Sequence, residues 1–256
     1  MPSASLVEIF SSVQGEGLYV GRRQVFVRFA GCNLRCAYCD TPASRRPRGT
    51  FRAERTPGGR DFETLRNPVT PEALLALVQR LETCPGLHHS VSLTGGEPLL
   101  HADFLRAFLP MLRKAGLRAY LETNGTLPQA LRKVIRLVDI VAMDIKLPSA
   151  TRQRARYRAH AEFLKIAARR EAFVKVVVTA RTTGQEVSDA ARLIARVSPE
   201  IPLVLQPASP NLRSQISDLR LHGASPIRLL ELQALAQRQL ETVCVIPQTH
   251  KLMGQL

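Results

Sequence analysis

The chain has 256 residues, 36 of them Lys or Arg against 21 Asp or Glu, for a formal net charge of +15. That length suits one large α/β domain, and with no apolar run near membrane-span length and no basic-then-apolar leader at Met1–Phe10, a cytoplasmic protein is expected. Five cysteines, three of them clustered, fit metal ligation in a reducing compartment rather than a disulfide framework. The arginines are spread over every segment and aromatics make up only 5% of the chain, so nucleic acid is not the expected partner.

Leu6 to Phe10 alternates as a strand does and runs into Ser11-Ser-Val-Gln-Gly-Glu-Gly17, where two glycines let main chain approach a ligand. Gln14 and Glu16 place an amide and a carboxylate in that loop, able to face the donor and acceptor edge of a heterocycle. Gln24 to Phe29 is the next strand, with Val25, Val27 and Phe29 on one face and Gln24, Phe26 and Arg28 on the other. The Arg28 guanidinium suits bidentate capture of a carboxylate, or equally a surface ion pair.

Next comes Gly31-Cys-Asn-Leu-Arg-Cys-Ala-Tyr-Cys-Asp-Thr41, with cysteines 32, 36 and 39 spaced C-x-x-x-C-x-x-C. Three thiolates from one loop converging on a point read as a metal loop. A cubane iron–sulfur cluster on three thiolates leaves one iron open to a non-protein ligand, whereas structural zinc wants a fourth ligand, which Cys84, Cys244 or a histidine would have to supply.

Residues 42 to 69 are rich in Pro, Gly and Arg without periodicity and read as a long basic loop inserted into the domain. Thr70-Pro71-Glu72 then caps a helix whose buried stripe is Leu74, Leu75, Val78 and Leu81. Beyond it, strands are expected at 90–93, 118–122, 140–145, 173–179, 203–206 and 243–246, alternating with helices near 102–115, 128–137, 152–171, 185–197 and 226–240. Such alternation predicts a parallel sheet with helices outside and ligands at the carboxyl ends of the strands. Thr94-Gly-Gly-Glu-Pro98, Glu122-Thr-Asn-Gly125, Asp144-Ile-Lys146 and Gln206-Pro207 fall at those ends. His88, His89, His101, His160 and His222 read as surface or loop histidines.

The cysteine loop, with an aromatic residue before its third cysteine, resembles that of the radical S-adenosylmethionine (SAM) enzymes. Together with Gln14-Gly-Glu-Gly17, Phe26-Val-Arg28, Cys39-Asp40-Thr41 and the ending Gln248-Thr-His-Lys251, it is similar to the 7-carboxy-7-deazaguanine synthases within that superfamily. Local departures are Tyr38, where tryptophan is frequent, and Asp144-Ile-Lys146, where some members carry Ser-Pro-Lys.

The resemblance implies one domain over residues 1–256, an α/β fold of the partial (β/α)₆ barrel type, and conversion of 6-carboxy-5,6,7,8-tetrahydropterin to 7-carboxy-7-deazaguanine with loss of ammonia. Its cofactors would be a [4Fe-4S] cluster on Cys32, Cys36 and Cys39, SAM, and Mg²⁺ on Thr41. SAM would meet Tyr38, Cys39, Asp40, Gly96, Glu122, Asp144, Ile145, Lys146 and Gln206. The pterin would meet Val13, Gln14, Gly15, Glu16, Arg28, Thr94, His250 and the terminal carboxylate of Leu256. Partners would be an electron donor such as flavodoxin or ferredoxin and a second copy in a homodimer. Two other readings compete: a glycyl-radical-enzyme activase, which shares the cysteine loop, and a basic zinc-loop protein that binds tRNA.

Overall fold

The computed structural model describes residues 2–209 and 223–255. Its strands are β1 Leu6–Val13, β2 Arg23–Phe29, β3 Thr50–Glu54, β4 Phe62–Arg66, β5 Ser90–Gly95, β6 Ala119–Thr123, β7 Ile140–Asp144, β8 Glu171–Val178, β9 Leu203–Pro207 and β10 Val243–Val245. The helices are α1 Pro71–Leu81, α2 Ala102–Lys114, α3 Pro128–Val134, α4 Pro148–Thr151, α5 Tyr157–Ala167, α6 Gly184–Ala195, α7 Pro226–Gln237 and α8 Thr249–Leu252. One sheet contains all these strands, in the order β10-β9-β8-β7-β6-β5-β2-β1-β3-β4.

From β2 through β5, β6, β7 and β8 to β9 the pairing is parallel, and a helix follows each strand before the next. These six β/α units are the expected partial (β/α)₆ barrel. It stays open, with β10 added at one edge and β1, β3 and β4 at the other.

Side-chain alternation along the strands separates core from site. Val25, Val27 and Phe29, then Val91, Leu93, Leu121, Val141, Met143, Val174, Val176, Leu203 and Leu205, join the helix residues Leu74, Val78, Leu81, Phe104, Leu105 and Phe108 in the main core. The intervening positions form a second, smaller cluster of Tyr120, Ile140, Ala142, Phe173 and Val204. Near it Phe10 stacks on Phe26 at 5.2 Å between ring centroids. Further along the same strand faces the apolar plug gives way to Glu122, Asp144, Lys175 and Gln206, which line a cavity at the carboxyl ends.

Two expectations need correction. Residues 42–69 are not a structureless loop: after a 3₁₀ turn at Pro42–Arg45 they form the antiparallel hairpin β3–β4, and β3 pairs in parallel with β1. The reason is a short alternation that Pro and Gly on either side conceal: Phe51 and Ala53 are buried while Thr50 and Arg52 are exposed. The helix expected over 152–171 is only Tyr157–Ala167, with Arg152 in the left-handed region at φ 58° and residue 171 already in β8. Arginine favours helix, but Arg152, Arg154 and Arg156 are exposed and offer no apolar stripe to dock. At its capped start, by contrast, α1 follows the sequence: Thr70 Oγ1 accepts from Ala73 N at 3.3 Å, an arrangement worth about 1 kcal/mol.

Two histidines are not surface residues either. His88 is buried between Ser11 Oγ (2.8 Å) and Glu82, and His160 lies wholly inside against the Asn124 carbonyl at 3.2 Å. His222 and Leu256 lie outside the described residues.

Candidate active site

A single cavity at the carboxyl ends of the strands gathers Cys32, Cys36 and Cys39 with Val13, Gln14, Gly15, Glu16, Arg28, Tyr38, Asp40, Thr41, Thr94, Gly96, Glu122, Asp144, Lys146, Gln206 and His250. Ile145 is not among its lining residues. Its side chain is buried in the main core, because it follows Asp144 and so turns to the opposite face.

The cysteine loop is held from both sides. Arg45 donates to the Cys36 carbonyl at 2.8 Å, Ala37 N donates to Thr151 O at 3.1 Å, and Asn124 Nδ2 donates to Asn33 Oδ1 at 2.8 Å. Gly96 packs so closely on this loop that a Cβ there would stand 1.9 Å from Gly31 O, so only glycine fits. Glu97, fully buried, accepts from Leu99 N, Thr123 Oγ1 and Asn124 N at 2.8–3.1 Å and so ties the β5 end to the β6 end. Burial pushes its carboxyl up to about 7 despite those donors.

Among the described residues no three His, Cys, Asp or Glu side chains gather as ligands of one metal ion. The three thiols nonetheless line one cavity and lie close enough for the charge of one to act on another. A cubane is different: each thiolate binds its own iron corner, so the ligands need only surround the cluster. Burial pushes the Cys32 and Cys36 thiols up, and iron would relieve that penalty by taking the thiolates directly. The donor set fits an iron–sulfur cluster.

Gln206 Oε1 and Asp144 Oδ1 have no hydrogen-bond partner among the described residues, and both belong to residues that line the cavity. Asp144 is engaged through its other oxygen by Lys146 at 2.8 Å, and Lys146 also donates to the Tyr38 hydroxyl at 3.1 Å. A buried carbonyl left unpaired costs about 1–3 kcal/mol, so a ligand carrying N–H or O–H groups would recover that. SAM, with an ammonium, ribose hydroxyls and an adenine amine, has such donors.

The Gln14–Glu16 loop, which also lines the cavity, is braced by its neighbours. Gln14 Nε2 donates to Glu122 Oε1 at 2.7 Å and Gln24 Oε1 at 3.0 Å, while its Oε1 accepts from Glu16 N at 3.0 Å. The amide thus fixes the loop rather than standing open to a heterocycle. Glu122 also accepts from Thr94 Oγ1 at 2.8 Å and Ser92 Oγ at 3.2 Å. Arg28 combines the two roles its position allows: it lines the cavity, and its Nε donates to Glu8 Oε1 at 2.9 Å. Glu8 holds Arg52 of β3 as well, and although burial would raise its pKa, the two arginines bring it below the ordinary carboxylate value.

Lys175 was not singled out by sequence, yet it is central. It pairs with Glu16 Oε2 and stands 3.6 Å from Asp144 Oδ1, its register neighbour across β7 and β8. Burial would raise the Glu16 pKa, but the Lys175 charge and hydrogen bond, together with Gln248, drive it down to about 2. A lone lysine in Phe173-Val-Lys-Val-Val177, in phase with Asp144, was the available signal. Gln248 was also missed; its Nε2 donates to Glu16 Oε1 at 2.5 Å and to Asp40 Oδ2 at 3.2 Å.

The C-terminal segment packs on the same loop. Thr249 N donates to Gly15 O at 2.9 Å, and His250 packs so tightly on Gly15 that a Cβ there would lie 2.2 Å from the imidazole Nδ1. Thr41, the expected Mg²⁺ ligand, lines the same cavity with its Oγ1 3.3 Å from Asp40 Oδ1.

Comparison with known proteins agrees with this architecture. The Radical SAM superfamily model matches residues 26–196. The 7-carboxy-7-deazaguanine synthase of Geobacter sulfurreducens is 50% identical over 256 residues, covering 100% of this chain and 99% of the relative. That of Methanopyrus kandleri is 38% identical, covering 98% and 94%. The crystal structure of QueE from Escherichia coli shares the fold with a TM-score of 0.60, at 21% identity, over 96% of this chain and 94% of that one. With half its residues matched end to end by one such relative and the radical SAM motif set in a partial barrel, the chain belongs to the 7-carboxy-7-deazaguanine synthase family of the radical SAM superfamily.

Proposed function

We infer that this chain converts 6-carboxy-5,6,7,8-tetrahydropterin to 7-carboxy-7-deazaguanine with loss of ammonia, as a carbon–nitrogen lyase in queuosine-type 7-deazapurine biosynthesis. The observation that carries the reading is a single cavity lined both by three thiols and by the Gln14–Glu16 loop, Arg28 and His250. Radical generator and heterocycle reader thus share one space. When bound, the cluster and SAM supply a radical that abstracts hydrogen from the substrate.

The chain's own residues then bind and orient. Cys32, Cys36 and Cys39 would hold the cluster; Tyr38, Asp40, Gly96, Glu122, Asp144, Lys146 and Gln206 would hold SAM. Glu16, ionised at neutral pH because Lys175 stands beside it, would accept N–H groups of the pterin edge, and the Arg28 fork would take the substrate carboxylate. Val13, Gly15, Thr94, His250 and the carboxylate of Leu256 complete the proposed substrate set. Thr41 would bind Mg²⁺, with water and substrate oxygens filling the rest of its octahedron. A homodimer, and reduction by flavodoxin or ferredoxin, belong to the same proposal. Among the described residues no helix is long and apolar enough to cross a membrane, and a cytoplasmic site of action belongs to the same proposal.

The test is anaerobic reconstitution to about four irons per chain, followed by incubation with the carboxytetrahydropterin, SAM, Mg²⁺ and a reductant. Formation of 7-carboxy-7-deazaguanine and equimolar ammonia is expected, with SAM regenerated. Cleavage of SAM to 5′-deoxyadenosine without the deazaguanine would place the radical chemistry on another substrate.

A further inference from the structure

We propose that Asn33, Thr126 and Asn124 are positioning residues, a closed hydrogen-bond ring that holds the first half of the cysteine loop ready for the cluster. The inference rests on the radical SAM reading and adds to it residues outside the ligand set.

The ring follows from the turn after β6. Gly125 takes φ 66°, a conformation open chiefly to glycine, and a Cβ there would stand 2.7 Å from Met143 Cε. The turn brings together the buried side chains of Asn124 and Thr126. Asn33 Nδ2 donates to Thr126 Oγ1 at 2.9 Å, the Thr126 hydroxyl donates to Asn124 Oδ1 at 2.5 Å, and Asn124 Nδ2 donates back to Asn33 Oδ1 at 2.8 Å. Each member gives one bond and takes one in the same sense around the ring, so each bond polarises and strengthens the next.

The main chain of Asn124 is fixed as well. Its N donates to Glu97 Oε2 at 2.8 Å, and its carbonyl accepts from His160 Nε2 at 3.2 Å. His160 is fully buried and burial lowers its pKa to about 4, so at neutral pH it is an uncharged ring with its proton on Nε2. Its Nδ1 has no partner among the described residues, so its one polar contact is spent on Asn124.

The loop needs such a hold at this point. Its second half is tied by Arg45 at the Cys36 carbonyl and by Thr151 at Ala37. On the first half, Gly31 is tied on one side of Cys32 by Ser44 and Glu97, but Asn33 on the other side is exposed and has no core to pack in. The ring supplies what packing does not. Ordering Cys32 before iron arrives removes that entropy cost from cluster binding and slows release of the cluster.

Thr126→Val removes the hydroxyl at constant shape and opens the ring, while Asn33→Ala opens it from the loop side at an exposed position outside the core. Thr126→Ser keeps the ring closed. Thr179→Val, which removes a buried hydroxyl just beyond β8, controls for general loosening. Amide hydrogen exchange over 31–39 is followed in the metal-free chain, and bleaching of the iron–sulfur chromophore by a chelator in the reconstituted holoprotein. Loop exchange and cluster loss should each be about tenfold faster in Thr126→Val and Asn33→Ala, and as in the wild type in Thr126→Ser and Thr179→Val. Unchanged exchange and bleaching in both opened variants would overturn the proposal. Equal acceleration in Thr179→Val would do the same, by making the effect a general one. Failure of the wild type to take up iron would instead sink the radical SAM reading, while exchange in the metal-free chain still decides whether the ring holds the loop.

Discussion

Lys175→Met removes the cation beside Glu16 at nearly constant shape and tests the electrostatic frame of the site. In the folded chain Glu16 lies at about 2 against an ordinary 4.5, which is worth about 3 kcal/mol of stability at neutral pH. Both side chains are mostly buried, at 12% and 19% exposure, so solvent screening discounts little of it. Losing one partner of such a pair costs about 3–5 kcal/mol, because the other charge is left buried. For a chain of this size the melting temperature should fall by roughly 6–12 °C. The pH dependence gives the sign. In the wild type the contribution is complete above 4.5 and is lost only as pH falls towards 2. In the variant, burial acts unopposed by lysine and lifts the Glu16 pKa above 4.5, so Glu16 protonates on mild acidification and relieves the penalty. The deficit should therefore be larger at pH 7.5 than at pH 5, and smaller in a Glu16→Gln background. Thermal melts of the four proteins at the two pH values decide it. An equal deficit at both pH values, or strict additivity with Glu16→Gln, would refute the reasoning.

Alanine at any one of Cys32, Cys36 or Cys39 should abolish both the iron–sulfur chromophore and SAM cleavage, because two thiolates cannot hold a cubane; iron analysis and 5′-deoxyadenosine release read this. Gly15→Ala drives a methyl into the His250 ring, so it should displace the C-terminal segment and lower turnover severely while the melting temperature hardly moves. Thr41→Val should lose most of the rate and all Mg²⁺ stimulation, whereas full stimulation in that variant would move the metal elsewhere.

Most of the barrel was legible because its strands alternate and its helices carry apolar stripes at helical spacing. Gln24-Val-Phe-Val-Arg-Phe29 assigns each residue to a face by alternation alone. The hairpin β3–β4 was not legible: five-residue strands at the margin of the sheet bury little, and a single Phe51/Ala53 pair among prolines and arginines is below what periodicity detects. The boundary of α5 failed for a related reason, since helix propensity speaks for 152–156 but tertiary packing decides. In the site, residues at strand ends were found through their motifs. Lys175 sits mid-strand, and its importance depends on Asp144 lying opposite in register and on Glu16 arriving from a loop 159 residues away in sequence. Ile145 was carried along with its neighbours although one step along a strand reverses the face.

The hairpin that sequence left without a role has a physical one. An exposed β1 edge would leave unpaired the strand that runs directly into Gln14–Glu16, and β3 covers part of that edge. Glu54 at the end of β3 then reaches across: its carboxylate accepts from Ser11 N at 2.8 Å, and from Gly58 N and Arg60 N in its own turn at 3.1 and 2.8 Å. That turn delivers the Arg60 guanidinium to the carbonyl of Gly254, while Thr249 is bonded to Gly15. The C-terminal segment is thus held at one end by the loop it helps to close and at the other by the hairpin that supports the same loop's strand. Contacts joining residue 15 to 249 and 60 to 254 bridge separations of 234 and 194 residues, so the intervening sheet has to bring their ends together. The part of the cavity lined by Gly15 and His250 is therefore complete only once both edges of the sheet are in place.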